Sequence, residues 1–505
     1  MESMGIPDAA PGLELTIATP APGNGIHISS SFGSGDKLAS HLTPSMPAKA
    51  MGTDMSNDKN VVVVKEEAAS LPTLAAGAVS PLFVFEPVVL VKEEGSSAPS
   101  QQAAEGATTP VDNILKHHLT HCAAALDMGD GLALNTALQH LSSVASASGD
   151  PSQRVAFTIA HALARRAMGS LQGLAWALQL QVPSPPTSAI ITNAARQSFA
   201  TLCPLVRVAT TAANLAIVEA TQAERRVHVV DRGGANMSQW RELLDLFATR
   251  SGGPPPSLRL SVVNEEDEFL SRAAEMLTQE AARLHVPFVF NPVRARIDRI
   301  TPQVIAALGV AHGQDEALAI MSTLQLHRLI ADEVTIQLPA PAANNKQGQK
   351  RKNNQEQTSA TTSHQIMKAD ALLRVLCDLR PKLMVLMEQE ADHNCTALTD
   401  RVQNALEYYV ALFRDMEASA AGDNDMLDHR VTVERVLLGE EMVDIVACEG
   451  KLRRERHEKI GRRALRMKAA GFEPAQLSVN NFNKIDGMAR QLFGDGGSVR
   501  KYRAQ

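Results

Sequence analysis

The chain has 505 residues, 44% of them hydrophobic and 4% aromatic, with a formal net charge of -6. That length and apolar share allow a large core and up to three domains, while few aromatics beside abundant alanine favour helix packing over an all-β core. Five scattered cysteines (Cys122, Cys203, Cys377, Cys395, Cys448) without a CxxC pair argue against a disulfide framework or a zinc spacing and fit a reducing intracellular compartment; no apolar run has the length of a membrane span and no signal-peptide layout opens the chain, so neither membrane contact nor secretion is expected.

Residues 1–112 form an acidic arm rich in Pro, Gly, Ser and Ala. Residues 1–110 hold 5 basic and 12 acidic side chains, with Phe32, Phe83 and Phe85 as the aromatics. Such a segment cannot bury enough apolar surface to offset its ordering entropy, so disorder is expected. Two islands interrupt it, Val61-Val62-Val63-Val64-Lys65-Glu66-Glu67 and Val88-Val89-Leu90-Val91-Lys92-Glu93-Glu94. Each resembles an acceptor for a ubiquitin-like modifier, at Lys65 and Lys92, or a docking segment that orders on binding. A chance apolar run in low-complexity sequence is the plain alternative.

From Val111 the pattern becomes helical. Leu134, Leu138 and Leu141 share one face, Asp150-Pro151 supplies an N-cap and first helical residue, and Val155, Ile159 and Leu163 extend the stripe. This predicts an antiparallel helical bundle whose leucines form an intramolecular core or, alternatively, a dimer seam.

The centre of the chain is Arg226-Val227-His228-Val229-Val230-Asp231, an apolar run ending in an acid. Arg232-Gly233-Gly234-Ala235-Asn236 turns out of it, and Trp240, Leu243, Leu244 and Phe247 mark one face of a following helix that Ser238 could cap. A second run, Leu258–Val263, lies where a right-handed crossover would deliver it. Pro287–Phe290, Ala317–Met321 and Lys382–Met387 continue the alternation of strand and helix, which predicts an α/β fold with a mostly parallel, Rossmann-like sheet. A Gln/Asn-rich insertion between Pro339 and His364 carries Lys350-Arg351-Lys352, either a nuclear address or solvated loop charge, and a mobile surface loop is expected there.

Three stretches carry possible chemistry. Asp231 with Gly233 and Gly234, backed by Glu265 or Glu266, is how a nucleotide or S-adenosylmethionine site begins, but the full G-x-G-x-x-G is missing, so Asp231 as a structural cap is the competing role. Glu388-Gln389-Glu390-Ala391-Asp392-His393-Asn394 could bind a metal or act as an acid/base pair, or cap a helix starting near Thr396 and pair with Arg401. Residues 451–468 hold 9 basic and 2 acidic side chains, read as a helix with a thin apolar edge (Ile460, Ala464, Met467) and a basic exterior open to phosphates, an acidic partner or solvent. Nucleophile elbows, P-loops and zinc spacings are absent, so no catalytic residue, cofactor or metal is expected.

Laid out in order, these blocks resemble the plant GRAS family of transcriptional regulators, in its scarecrow-like group. Leu119-Thr120-His121-Cys122-Ala123 and Gln153-Arg154-Val155-Ala156 are similar to the first leucine-rich region (113–175). Val227, His228, Val229, Val230 and Asp231, with Gln239 and Trp240, resemble the VHIID block (193–264), which precedes a second leucine-rich region (265–306). Leu326-His327-Arg328-Leu329 and the box holding Glu388, Glu390 and His393 resemble the PFYRE region (307–430). Arg456-His457-Glu458 and Ala470-Gly471-Phe472 look like the opening of the SAW region (431–505).

The resemblance implies a GRAS domain over 113–505: a methyltransferase-like core under an N-terminal helical cap, nuclear action through other transcription regulators, homo- or heterodimers through the cap, indirect contact with DNA and no catalysis. Three departures stand out. Arg232 and Asn236-Met237 replace the Phe and Gln-Gly of the family pattern, Arg463 stands where it has Trp, and its last Trp-containing strand is missing before Gln505, which would leave a sheet edge open.

Overall fold

The computed structural model describes residues 12–21, 27–29, 61–65, 88–92, 110–177, 188–233, 236–296, 301–310, 316–339, 361–493 and 497–501. Strands β1 (Gly12–Pro20), β2 (His27–Ser29), β3 (Val61–Lys65) and β4 (Val88–Lys92) come first. Helices α1 (Pro110–Met128), α2 (Gly131–Val144), α3 (Pro151–Ser170), α4 (Gln172–Ala177), α5 (Ala189–Leu202) and α6 (Pro204–Ala220) follow. The alternating part runs β5 (Arg226–Arg232), α7 (Met237–Thr249), β6 (Ser257–Asn264), α8 (Asp267–Arg283), β7 (Phe288–Arg294), α9 (Pro302–Ala307) and β8 (Ala317–Thr323). Beyond it come β9 (Glu333–Pro339), β10 (Thr361–Met367), α10 (Lys368–Asp378), β11 (Leu383–Glu390), α11 (Leu398–Ala420) and α12 (Asn424–Thr432). A π-helical turn (Val433–Leu438), α13 (Gly439–Ala447), α14 (Ile460–Ala469), β12 (Phe472–Pro474), α15 (Val479–Phe493) and β13 (Gly497–Lys501) complete the order.

The parallel sheet runs β7-β6-β5-β8-β11. β5 is apolar on consecutive residues because it is buried on both faces. Val227 and Val229 join the core shared with α6, α7, α8 and the cap, while Val230 points into a second core with α10, α14 and Phe472. Successive crossovers carry the chain outward from β5 to β7, and β8 then returns to the other side of β5. That reversal opens a crevice at the carboxyl ends of the strands.

Local signals placed several helix starts. Asp150 caps α3 with a full capping box to Gln153, and Pro151 sits at the first helical position. The start of α7 differs from the expectation: Asn236, not Ser238, is its N-cap and accepts from the Gln239 N–H at 3.1 Å. Leu134, Leu141, Val155, Ile159 and Leu163 are buried inside the cap, so the leucine stripe is intramolecular core. No single helix is long and apolar enough to cross a membrane among the described residues; α6 is apolar because twelve of its residues are buried.

Within the arm, the structure departs from the expected disorder at short strands. Much of the arm lies outside the described residues, but Gly12–Pro20 is a strand, antiparallel to β11 from Gly12↔Glu390 to Ala18↔Met384. On its other side β4 and β12 pair with it, and β13 pairs with β4. The physical reason is local: Leu13-Glu14-Leu15-Thr16-Ile17 offers β-forming residues, and β11 offers an edge. Leu15 and Ile17 are buried, worth roughly 1.5–3 kcal/mol each. The edge expected to stand open is therefore covered.

Both valine-rich islands are strands, with Lys65 opposite His27 and Lys92 opposite Gly497, while the side chains of Lys65 and Lys92 lie outside the described residues. The flanks of the insertion pair as β9 and β10 rather than forming loop, and residues 340–360, with Lys350-Arg351-Lys352, lie outside the described residues.

Leu15→Ala is expected to lower the unfolding free energy by about 2–5 kcal/mol in urea denaturation followed by tryptophan fluorescence. A stability equal to that of the unaltered chain would show that β1 does not belong to the sheet.

Candidate functional site

In the glycine turn after β5, Asp231 and Gly233 are taken up by internal contacts. Asp231 is fully buried, and its Oδ2 accepts the indole N–H of Trp240 at 2.6 Å. Its carboxylate therefore ties the strand to α7 instead of facing a ribose. Gly233 adopts φ +121°, and a Cβ there would meet the Thr323 carbonyl at 2.7 Å and the Gln325 side chain at 2.4 Å. The glycine admits the loop after β8, not a pyrophosphate. Gly234 lies outside the described residues. These residues do not fit S-adenosylmethionine or a dinucleotide, and Asp231 takes the structural role.

Above this turn a cavity of about 780 Å³ separates the strand ends from the cap. Asn193 and Arg196 of α5, Gln239 of α7, Thr323 at the end of β8, and Glu441 and Asp444 of α13 all face it. The Gln239 carbonyl oxygen and the Thr323 hydroxyl have no hydrogen-bonding partner among the described residues.

One wall of the cavity is a buried histidine–carboxylate centre. Glu388, the first acid of the box at the end of β11, accepts the backbone N–H groups of Gln325 and Leu326 at 2.9 and 2.7 Å and faces His327 Nδ1 at 2.6 Å. The other ring nitrogen of His327 lies 2.7 Å from Glu455 Oε2. Burial works against charge on the imidazole, yet the carboxylates of Glu388 and Glu455 overcome it and raise its pKa to about 10. His327 is therefore an imidazolium bridging two carboxylates.

The ring of His457 packs 4.1 Å from that of His327, and His457 Nδ1 meets His393 Nδ1 at 3.0 Å. Burial drives His393 down to about 3 and His457 well below the usual range, so both stay neutral. Nearby, burial and the charge of Glu455 hold Glu441 and Asp444 above the usual carboxylate range.

The acidic box thus works differently from the helix cap expected of it. α11 starts after Ala397 with no side-chain cap, and Arg401 turns to the Cys395 and Thr396 carbonyls and Glu449. Glu390 caps α14 instead, accepting from the Ile460 N–H at 3.0 Å and from Arg463 at 2.7 Å.

The basic stretch 451–468 is equally inward-looking. Arg453 donates to the His393 and Cys395 carbonyls, Arg463 to the Gln389 carbonyl, and Arg466 to Asp370 and Glu458. Arg453 and Arg463 are buried. Helix occupies only Ile460–Ala469, and Lys451, Lys459, Arg462 and Lys468 are the exposed cations of the stretch. The strongly basic exterior is thus reduced to scattered charges.

Gly471 (φ +97°) and Phe472 seat the N-terminal strand: the Gly471 carbonyl accepts from the Ala21 N–H at 2.8 Å, and Phe472 is opposite Pro20. His228 is buried on β5 against Ser261 at 2.8 Å, away from the cavity. Glu441, Asp444 and Glu455 were missed in the sequence. The one available signal was the pair of acids and the histidine breaking the run Arg453-Arg454-Glu455-Arg456-His457-Glu458.

A model of the GRAS domain family matches residues 115–504. The chain belongs to the GRAS domain family. It is 34% identical to Scarecrow-like protein 3 of Arabidopsis thaliana, over 72% of this chain and 79% of that one. It is 30% identical to GRAS family protein TF80 of Medicago truncatula, over 72% and 84%. The crystal structure of SCL7 in Oryza sativa superposes with a TM-score of 0.56 at 27% identity, covering 75% of this chain and 90% of that one. The GRAS core under its cap is therefore shared, and the histidine–carboxylate centre is built from the blocks that carried the resemblance.

Glu388→Ala strands two backbone donors and removes one of the two carboxylates that hold a charged imidazole, so it should cost about 3–5 kcal/mol in urea denaturation. Arg463→Met takes the guanidinium away from Glu390 and from the Gln389 carbonyl and should cost a similar amount while leaving any gel shift with DNA unchanged.

Proposed function

We propose that this chain, a plant transcriptional regulator of the GRAS type, works in the nucleus by docking other regulators on its helical cap and catalyses no reaction itself. The observation that carries this reading is the contrast between the two surfaces. Groups that could hold a nucleotide or DNA phosphates turn inward: Asp231 to Trp240, Arg453 and Arg463 to carbonyls. The cap leaves large apolar side chains in solvent. Trp176 of α4 is 83% exposed, and α5 and α12, which pack together, expose Ile190, Ile191, Leu427 and Val431. Exposed aromatic and aliphatic groups of this kind mark protein interfaces.

The relatives' names agree with a regulatory role, among them Scarecrow-like transcription factor PAT1 of Arabidopsis thaliana. Homo- or heterodimers through the cap belong to the same reading, with DNA reached through the partner. Modification at Lys92 would act on β4, at the far side of the sheet from β7, and modification at Lys65 on β3 of the separate sheet β10-β9-β3-β2.

Affinity purification of nuclear complexes tests the proposal. Ile190→Asp with Ile191→Asp should leave the unfolding free energy within about 0.5 kcal/mol of the unaltered chain, since both residues are exposed, while co-purifying regulators are lost. An unchanged set of partners would refute cap docking.

A further inference from the structure

The histidine–carboxylate centre has one feature that an ion pair alone does not use. His457 Nε2 is fully buried and has no hydrogen-bonding partner among the described residues, and it points toward Glu455 Oε2, 3.8 Å away. His327 Nε2 approaches the same carboxylate at 2.7 Å. The three donor atoms lie within 4.8 Å of one another. We propose that His327, Glu455 and His457 bind a divalent transition-metal ion of the zinc class.

The donors suit such an ion: two imidazoles and a carboxylate are borderline ligands of the kind zinc and cobalt accept. On binding, the ion takes the place of the His327 Nε2 proton, which leaves to solvent. The His327 Nδ1 proton remains directed at Glu388, 2.6 Å away, the carboxylate–histidine pairing that fixes the tautomer and orientation of a metal-bound imidazole. His457 is oriented in the same manner, with its Nδ1 proton directed at His393 Nδ1, 3.0 Å away. Because His327 and Glu455 line the 780 Å³ cavity, the ion has a route in and water can complete its coordination.

The ligands come from two segments far apart in sequence. His327 belongs to the short turn after β8, and Glu455 with His457 to the irregular stretch between α13 and α14. An ion here would staple the segment after the cap to the end of the sheet, and the chain's thermal midpoint would rise with zinc.

The test uses the full chain, stripped with chelator and dialysed, titrated with Co2+ under visible absorption and back-titrated with Zn2+. The expected result is one Co2+ per chain with the intense absorption of a low-coordinate site, displaced by Zn2+. It should persist in His117→Ala with His121→Ala, which removes an exposed imidazole pair on α1. His457→Asn should weaken binding at least about 100-fold, and Glu388→Gln about 10-fold. The proposal is overturned by no stoichiometric uptake, by uptake that vanishes with His117 and His121, or by a folded His457→Asn chain that binds as tightly as before. Should His457→Asn fail to fold by circular dichroism, Glu388→Gln decides, and undiminished affinity in that variant overturns it.

Discussion

The structure depends on a positive charge kept where burial opposes it. His327 is held as an imidazolium because Glu388 and Glu455 stand on either side of it, at 2.6 and 2.7 Å. Those three residues come from the loop after β8, the end of β11 and the segment after α13, so one proton joins the central sheet to the C-terminal part of the chain. The remaining oxygen of Glu388 holds the Gln325 and Leu326 amides, which fixes the loop that fills the turn at Gly233. A buried arrangement of this kind is weak evidence for net stability, but removing His327 would leave two buried carboxylates without the charge that joins them.

The same inward pairing takes up, among the described residues, the acid of the turn after β5 and most of the arginines of the basic C-terminal run. The chain's polar groups are taken up by internal junctions. Asp231 secures Trp240, Glu390 caps α14 and pairs with Arg463, and Arg154 joins α3 to the π-helical turn through Glu434 at 3.0 Å from each oxygen. Large apolar side chains are left in solvent on the cap, Trp176, Ile190 and Ile191 among them, and outside it at Val289, Leu465 and Val479.

Strand β1 shows how composition can mislead. The arm's average character argues for disorder, and nine residues within it nonetheless form a strand between β11 and β4. A scarcity of apolar side chains limits a segment's ability to fold alone; it does not decide what happens beside a ready-made edge, where backbone hydrogen bonds and two buried side chains suffice. Gly471 and Phe472, quoted only as part of a family block, are the residues that receive the strand's far end.

The sequence by itself determined the alternating core. Four strands of the parallel sheet, β5, β6, β8 and β11, were legible because two-sided burial demands unbroken apolar runs, and the helix between β5 and β6 showed its buried face at Trp240, Leu243, Leu244 and Phe247. It also determined the family, through blocks recurring in order. What only the tertiary structure decided was the direction in which charged side chains point. Arg453 and Arg463 read as a basic exterior and are buried, and His327, His393, Glu455 and His457 stand apart in sequence and meet at one wall. Apolar periodicity is a local consequence of helix and strand geometry, whereas a charge is turned inward only by a partner that the fold brings from elsewhere.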